Sequence, residues 1–453
     1  MVSRKFSGIA NAASAFLARH WPFALVLLPL SALAFSAISS IPFHPDESTY
    51  LFMSGDFLDL ITEPSALAGE LLPPIDPQTR YRLIDAPIVR YILGAGLLLS
   101  GQDPLPSDWD WSGTISENRY SGAYPSHSVI LAGRLAVTLL FPLSLALVYA
   151  TGRTLAGIWA GLLSAILLGT NSLVLLHTRR AMAEGPLLFG TLFFLWTITR
   201  PRINPILIAL ALALAVNAKH SALVLAPVAV LAIAVSVRTP GEGQRTKLSV
   251  RLGIKNLAKF GVTFAMITWV LNPVAWRDPL NALRLGVELR ADLLHRQMEE
   301  TAVLAPNQVV NGPAARSVSL IANAFILQPS FQEVGNYSEW TGESESIYLS
   351  RPWNALFRGM ISGGILGILF VFGLVSGILC VLQTSFPLRR SYILLLLATL
   401  CVILIIVLGI PLPWQRYVLP LIPFTCLWIS IGLVRLGGSL KDSRITVSEP
   451  AIS

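Results

Sequence analysis

Long apolar runs alternate along the chain with short basic connections and with two long acidic segments. A transmembrane helix needs about 20 mainly apolar residues, and about ten runs approach that length. We therefore predict an all-α polytopic membrane protein with about ten transmembrane helices. The predicted spans cover residues 21–40, 127–150, 155–176, 182–198, 204–216, 221–237, 260–271, 360–382, 392–410 and 418–434. The boundaries at 204–216 and 260–271 are the least defined, because these runs are the shortest.

The composition excludes a water-soluble globular protein of this size. Of the 453 residues, 54% are hydrophobic and 13% are charged, whereas charged residues make up about a quarter of a soluble chain. The net charge of +8 does not indicate a nucleic-acid partner, because in a membrane protein the location of the charges carries the information. We therefore expect membrane lipid, and no nucleic acid, among the partners.

The location of the charges predicts the orientation in the membrane. Of the 25 acidic residues, 12 lie between Asp46 and Glu117 and 9 lie between Asp278 and Glu345, while the short connections are basic. Basic connections face the cytoplasm, so two extracytoplasmic loops are predicted, at 41–126 and 272–355. The N- and C-termini are then cytoplasmic. We expect a multi-pass protein of the plasma (inner) membrane, with one transmembrane domain over residues 1–453 and no separate soluble domain.

The two long loops contain helical patterns of their own. Apolar residues at near-helical spacing over 47–61 predict an amphipathic helix at the membrane surface. A second helix is predicted from Pro87, a residue favoured in the first helical turn, to about residue 99. A charged helical pattern at 280–300 predicts a third helix, in the second loop.

Five charged residues are embedded in apolar sequence, and each would cost roughly 3 kcal/mol if unpaired at mid-bilayer. They are Arg134, Arg179, Arg180, Glu184 and Lys219. Such charges must face a cavity, an opposite charge or the outer surface, and a lipid phosphate in the outer leaflet would explain the cations. Two structural alternatives stay open: pairing of Arg179 or Arg180 with Glu184 on one helix, and Arg134 and Lys219 extending toward the interface.

The acidic doublet Asp46-Glu47 follows the first apolar run, where a membrane-embedded substrate would meet a water-borne one. Adjacent residues point in different directions on a helix or a strand, so the two carboxylates cannot act together on one atom. We expect Asp46 to face the site as a base and Glu47 to face an arginine or lysine. The structural alternative is Asp46 as a helix N-cap with Glu47 in the first turn.

Five landmarks in order resemble the polyprenyl-phosphate-sugar-dependent membrane glycosyltransferases of the GT-C class. Within that class, the chain resembles the protein O-mannosyltransferase-like group, which includes the aminoarabinose transferase of lipid A. The landmarks are Asp46-Glu47, Asp85-Ala86-Pro87, Gly133-Arg134-Leu135, Arg179-Arg180 to Glu184 with Ala218-Lys219-His220-Ser221, and Arg416-Tyr417-Val418. Together they cover nearly the whole chain.

The resemblance implies a GT-C fold and a hexosyl- or pentosyltransferase that inverts the anomeric carbon. Its donor would be a polyprenyl-phosphate sugar, with a hexose such as mannose as the sugar, and its acceptor a hydroxyl group of a lipid, glycan or protein. Asp46 would be the catalytic base, with Glu47 and Asp85 as supporting acids. The implied phosphate-binding residues are Arg134, Lys219, Arg179 and Arg416, and the other implied site residues are Glu184, His220 and Tyr417.

Two features depart from the family. The second acidic element is Asp-Ala-Pro, where the family commonly has His-Pro-Pro or Glu-Pro-Pro. The large soluble insert of the protein mannosyltransferases and the C-terminal domain of the lipid A enzyme have no counterpart, so the acceptor is not carried over. No cofactor is required. A divalent cation near Asp46 or Asp85 is compatible with the sequence, but no histidine spacing indicates a metal site.

Two other classes stay open from the residues alone. A lipid-linked-sugar transporter or flippase would also have many spans and buried charges, although it would be expected to carry its charges at broken helices near mid-membrane. A non-enzymatic membrane subunit would not need Asp46.

Overall fold

The computed structural model describes residues 21–69, 71–72, 74–236, 250–306, 309–331 and 338–446, and these contain helices and no β-strand. The first long loop carries short helices between the first and second membrane helices. The helices of the N-terminal half are α1 (Trp21–Ser36), α2 (Pro45–Met53), α3 (Asp56–Thr62), α4 (Pro77–Ile84), α5 (Ile88–Ser100), α6 (Ile115–Tyr120), α7 (His127–Thr138), α8 (Leu140–Gly169), α9 (Ser172–His177), α10 (Glu184–Thr199) and α11 (Pro205–Ala218).

The C-terminal half contains eight further α-helices within the described ranges. They are α12 (Ala226–Ser236), α13 (Val250–Leu271), α14 (Pro279–Leu304), α15 (Gly312–Ile321), α16 (Ser338–Leu349), α17 (Met360–Gln383), α18 (Phe386–Leu404) and α19 (Ile422–Thr446). Two 3-10 turns matter for the site, at His220–Leu225 and Gln415–Leu421, and α18 ends in a π turn at Ile405–Gly409.

The predicted count of ten spans is not confirmed. In the described part of the chain, five helical runs are long and apolar enough to cross a membrane: His127–Gly169, Arg251–Leu271, Met360–Gln383, Phe386–Gly409 and Gln415–Gly438. A sixth would require α4 and α5 to form one span, but they meet at 118°. Four further apolar helices are shorter, and the 14 residues of α11 rise only about 21 Å against a hydrocarbon thickness of about 30 Å.

The run His127–Gly169 corresponds to two predicted spans, 127–150 and 155–176. Its 43 residues would extend about 65 Å, roughly twice the hydrocarbon thickness. The backbone leaves helical geometry at Ala156 and Gly157, where Gly157 has φ +85°, a conformation that a residue without a side chain adopts readily. The second segment ends at Gly169, because Asn171 caps the separate helix α9.

The membrane core is built from α8, α10, α11, α17, α18 and α19, whose buried side chains form one large apolar cluster. The helices α17 and α19 approach most closely at Gly373, where a Cβ atom would lie 2.0 Å from the carbonyl oxygen of Trp428. The opposite face of α17 leaves Ile361, Ile368 and Leu382 strongly exposed, as expected of a surface in contact with lipid. These features establish an integral membrane protein.

Several predicted loop helices are present with changed boundaries. The amphipathic pattern at 47–61 forms two helices, because the chain breaks at Ser54 and Gly55 between α2 and α3. The helix predicted from Pro87 is α5, and the charged helix predicted at 280–300 is α14. The span predicted from residue 260 is part of α13, which covers Val250–Leu271 and so begins ten residues earlier. The predicted cytoplasmic ends, 1–20 and 447–453, lie outside the described residues.

Candidate active site

The acidic doublet lies in the first turn of α2, which begins at Pro45. His44 is the N-cap residue: its Nδ1 accepts a hydrogen bond from Asp46 N at 3.1 Å, while Glu47 Oε2 accepts one from His44 N at 3.1 Å. This reciprocal arrangement is a capping box. The structural alternative in which Asp46 is the cap is therefore wrong, although Glu47 does lie in the first turn. Burial lowers the pKa of His44 to about 3, so its imidazole is neutral and can accept at Nδ1.

Glu47 is fully buried and holds α2 against two other parts of the chain. Its Oε1 accepts from Arg134 Nε at 2.8 Å and from Ala181 N at 2.9 Å, and its Oε2 accepts from the terminal nitrogen Nη2 of Arg134 at 2.7 Å. Burial alone would raise the pKa of Glu47, but Arg134 outweighs it and the pKa is lowered. Glu47 thus faces an arginine, as predicted.

Arg134 does not line the cleft described below. Its remaining terminal nitrogen, Nη1, donates to Ile38 O at 3.1 Å and to Ile41 O at 2.9 Å. Its three nitrogens are therefore engaged by Glu47 and by the turn that follows α1. In this arrangement Arg134 holds α2 in place, and the expectation that it binds the donor phosphate stays a prediction.

Asp46 points in a different direction from Glu47 and is partly accessible, with 23% of its side chain exposed. Its Oδ2 accepts a hydrogen bond from Nη1 of Arg416, in the 3-10 turn that precedes α19. Burial would raise the pKa of Asp46, but the positive charge of Arg416 outweighs it and holds the pKa at about 2. The two adjacent carboxylates therefore have separate partners.

Aromatic rings surround the cations beside Asp46. The guanidinium of Arg416 lies 4.9 Å from the Trp414 ring centroid and 5.8 Å from that of Tyr417, and the two rings stack at 5.5 Å. Lys219, which caps the end of α11, places its Nζ 5.1 Å from the Tyr417 ring. The same Nζ donates to Glu184 Oε1 at 2.8 Å. Glu184 therefore forms its ion pair with Lys219, at the end of another helix. The structural alternative had paired Glu184 with Arg179 or Arg180 on one helix.

Arg416 and Lys219 are two of the residues that line a small apolar cleft. Side chains from α10, the 3-10 turn after Lys219, the end of α18 and the turn before α19 line its walls. They include Leu187, Leu225, Val402, Ile406, Tyr417 and Pro420. An apolar cleft that also contains two cations suits an amphiphile that has a hydrocarbon chain and an anionic head.

Asp85 and His220 lie at the end of α4, where both are near Arg290. Asp85 caps the end of α4, 3.9 Å from the guanidinium of Arg290 on α14. Burial raises the pKa of Asp85 in spite of Arg290. His220 bonds the main chain of Ile84 and begins the turn after Lys219. The sequence elements around Asp46, Asp85, Lys219, His220 and Arg416 therefore converge, although they are far apart in the chain.

Arg179 and Arg180 are buried in the turn between α9 and α10. Arg179 donates to Leu33 O at 2.8 Å and lies beside Tyr348, while Arg180 donates to Phe331 O at 3.1 Å. Arg179 thus faces α1 and α16 and is not among the residues that line the cleft, so the expectation that it binds the donor phosphate stays a prediction.

Four features of the site were missed by sequence reasoning. They are the Asp46–Arg416 bond, the capping role of His44, the position of Arg290 beside Asp85, and His177, which is buried with no hydrogen-bond partner for either ring nitrogen among the described residues. The spacing of His44 and Glu47 is a capping-box signal that could have been found. Among the described residues, no group of three or more His, Cys, Asp or Glu side chains could hold a metal ion.

Solved structures similar to this chain are membrane glycosyltransferases. It resembles the apo oligosaccharyltransferase of Archaeoglobus fulgidus with a TM-score of 0.52 and 12% identity, over 96% of this chain and 53% of that one. It resembles ArnT of Cupriavidus metallidurans, bound to undecaprenyl phosphate, with a TM-score of 0.51 and 12% identity, over 94% of this chain and 63% of that one. No protein-family model and no curated protein matches the chain.

These similarities establish the fold. Both solved structures are GT-C glycosyltransferases, and this chain has the same helical architecture over nearly all of its length. The chain spans about half of the oligosaccharyltransferase and under two thirds of ArnT. At 12% identity the match is to the fold, so activity has to be argued from the site.

Proposed function

We propose that the protein is an inverting glycosyltransferase that moves a sugar from a polyprenyl-phosphate donor to an acceptor hydroxyl group. The observation that most supports this proposal is the position of Arg416, which lines the apolar cleft and also bonds Asp46. The guanidinium of Arg416 therefore lies beside a cleft suited to a lipid phosphate and also beside a carboxylate suited to accepting a proton. The GT-C fold agrees with that pairing.

The donor would place its hydrocarbon chain in the cleft and its phosphate beside Lys219 and Arg416. The acceptor oxygen attacks the anomeric carbon as Asp46 takes the proton from the acceptor hydroxyl. The bond between the anomeric carbon and the phosphate oxygen breaks, and the polyprenyl phosphate leaves with the bonding electron pair. A single displacement inverts the anomeric carbon and needs one base. The two cations stabilise the charge that grows on the departing phosphate.

The other site residues have supporting tasks in this proposal. Glu47 and Arg134 fix the first turn of α2 and so the direction of Asp46. Glu184 orients Lys219, and Tyr417 covers both cations. Asp85 and His220 stand where the hydroxyl groups of the sugar or acceptor would come. Because no step requires a metal, we propose no cofactor.

The order of the motifs favours the protein O-mannosyltransferase-like and aminoarabinose-transferase-like group within the GT-C fold. We propose a hexose such as mannose, or a pentose, as the sugar, and a lipid, glycan or protein as the acceptor. The reaction would take place on the extracytoplasmic face, within a single catalytic unit formed by residues 1–453.

The test is sugar transfer from a radiolabelled polyprenyl-phosphate hexose by the purified full-length protein in lipid, with envelope extract as the acceptor source. Replacing Asp46 by Asn removes the base but keeps the size and the hydrogen-bonding capacity of the side chain. We expect turnover to fall about a hundredfold to ten-thousandfold while donor binding is kept.

The matched control is Asp103→Asn, which changes an exposed acid of the same loop and should leave turnover within about twofold of the parent. Equal turnover in the parent and in Asp46→Asn would exclude Asp46 as the base. Binding of the donor with no turnover by the parent would favour a transporter or a non-enzymatic subunit.

A further inference from the structure

Arg416 touches both halves of the proposed chemistry, the carboxylate and the cleft. Its Nη1 donates to Asp46 Oδ2, and its side chain lines the cleft together with Lys219 and Tyr417. As long as that bond stands, Asp46 is a weak base, because the nearby positive charge stabilises the carboxylate and holds its pKa at about 2. A base for a hydroxyl group works better when its pKa is nearer to the operating pH.

The guanidinium has the geometry needed to exchange partners. It carries five N–H donors in one plane and binds phosphate oxygens in pairs. The stacked rings of Trp414 and Tyr417 lie 4.9 and 5.8 Å from its central carbon and hold the group beside the cleft. A lipid phosphate entering the cleft would carry at least as much negative charge as the carboxylate. It would therefore compete with Asp46 for the same donors.

Lys219 is not equivalent to Arg416 in this respect. Its Nζ bonds Glu184 at 2.8 Å, so its carboxylate partner lies on α10, away from the catalytic doublet. The charge of Lys219 also lowers the pKa of Asp46, but less than that of Arg416 does. Of the two cations that line the cleft, Arg416 is the one that donates a hydrogen bond to Asp46.

We propose that Arg416 is a specificity-determining residue that holds the Asp46 carboxylate until a phosphate-bearing donor enters the cleft, and then turns to that phosphate. This inference rests on the proposed function, and it adds an order of binding: the donor precedes deprotonation of the acceptor. When Arg416 turns away, Asp46 loses its cation and gains a neighbouring anion. Both changes raise its affinity for a proton.

Other charged or titratable groups also surround Asp46 and must be considered in any test by protonation. They are His44, Tyr50, Tyr81, Asp85 and Lys219. Lys219 also lines the cleft, so variants of Arg416 are needed to separate its contribution from that of the other groups.

The experiment measures labelling of Asp46 by a hydrophobic carbodiimide, which reacts with protonated carboxyl groups. The purified full-length protein in lipid is treated at about pH 6 with no addition, with a polyprenyl phosphate, or with the polyprenol of equal length. Mass spectrometry then quantifies the modified peptide, with Asp46→Asn as the blank. We expect polyprenyl phosphate to increase labelling at least about tenfold, because each unit of rise in pKa gives a tenfold rise in the protonated fraction. Polyprenol should leave labelling unchanged.

Variants separate the proposed role from a structural one. Arg416→Gln should show high labelling with or without polyprenyl phosphate, and Arg416→Lys should restore part of the protection. Arg284→Gln, at an exposed arginine of α14, should behave as the parent does. The parent comparison stands without any variant, should Arg416→Gln fail to fold.

Binding of polyprenyl phosphate is measured separately. Binding without a change in labelling would overturn the coupling through Arg416 and leave the proposed function standing. An equal rise with polyprenol would overturn the role of the phosphate charge. Absence of binding would contradict the proposed function itself, and this inference with it.

Discussion

Two adjacent carboxylates have different tasks because one turn of helix directs them to different surroundings. Glu47 is enclosed and accepts hydrogen bonds from Arg134, Ala181 and His44, whereas Asp46 reaches the partly open side and meets Arg416. A buried ion pair of this kind adds little net stability compared with apolar packing, but breaking it leaves an uncompensated charge. Loss of Glu47 should therefore lower the stability of the protein mainly because the charge of Arg134 stays buried without its counter-charge.

Replacing Glu47 by Gln should lower the free energy of unfolding by about 3–5 kcal/mol, because the Arg134 charge stays buried without its counter-charge. The measurement is thermal unfolding in detergent, compared with the parent. The control is Glu288→Gln, which removes an exposed pair with Arg284 and should change stability by less than about 1 kcal/mol. A double variant, Glu47→Gln with Arg134→Met, should recover part of the loss. A full loss that persists in the double variant would contradict this account.

At the scale of the helices, apolar periodicity predicted well where helices are present but poorly where they are interrupted. The pattern located α5, α14 and most of the membrane helices, because each presents a regular apolar face or a continuous apolar run. It missed the break between α2 and α3, since the spacing of apolar residues continues through Ser54 and Gly55. The sharp angle between α4 and α5 was not foreseen either, because it depends on how α4 packs against α14.

Close packing between α17 and α19 gives a prediction with an internal control. Gly373→Ala places a methyl group 2.0 Å from the carbonyl oxygen of Trp428, so the helices must separate. We expect a loss of about 1–3 kcal/mol or more in unfolding free energy, or a failure to accumulate in the membrane. Gly364→Ala, on the same helix, meets nothing within 4 Å and should leave unfolding in detergent unchanged. Equal behaviour of the two variants would contradict the packing described here.

At the scale of the whole molecule, the sequence could indicate the class of fold but not the assembly of the site. The apolar runs and the placement of charge were enough to predict a helical membrane protein, and the different directions of Asp46 and Glu47 followed from local geometry. The partners of Arg134 and Asp46 could not be foreseen. They lie 87 and 370 residues away in the chain, and such contacts are decided by tertiary packing.

The predicted orientation can be tested directly. In a background with Cys380, Cys401 and Cys426 replaced by Ala, Tyr120→Cys places a thiol on a side chain that is 97% exposed in the first long loop. An impermeant maleimide should label it in intact cells. Arg202→Cys, in the basic connection between α10 and α11, should be labelled only after permeabilisation. The reverse pattern would place the proposed site on the cytoplasmic face.

The bond between Asp46 and Arg416 also constrains the biosynthesis of the protein. Its two halves are separated by 370 positions, so the first loop is made long before the turn that precedes the last helix. Throughout insertion, the acid emerges without its counter-charge and the cleft is missing its final wall. Chains that stop before residue 416 contain the carboxylate of the proposed reaction centre but never its guanidinium. The proposed site can therefore be complete only when nearly the whole chain is in the membrane.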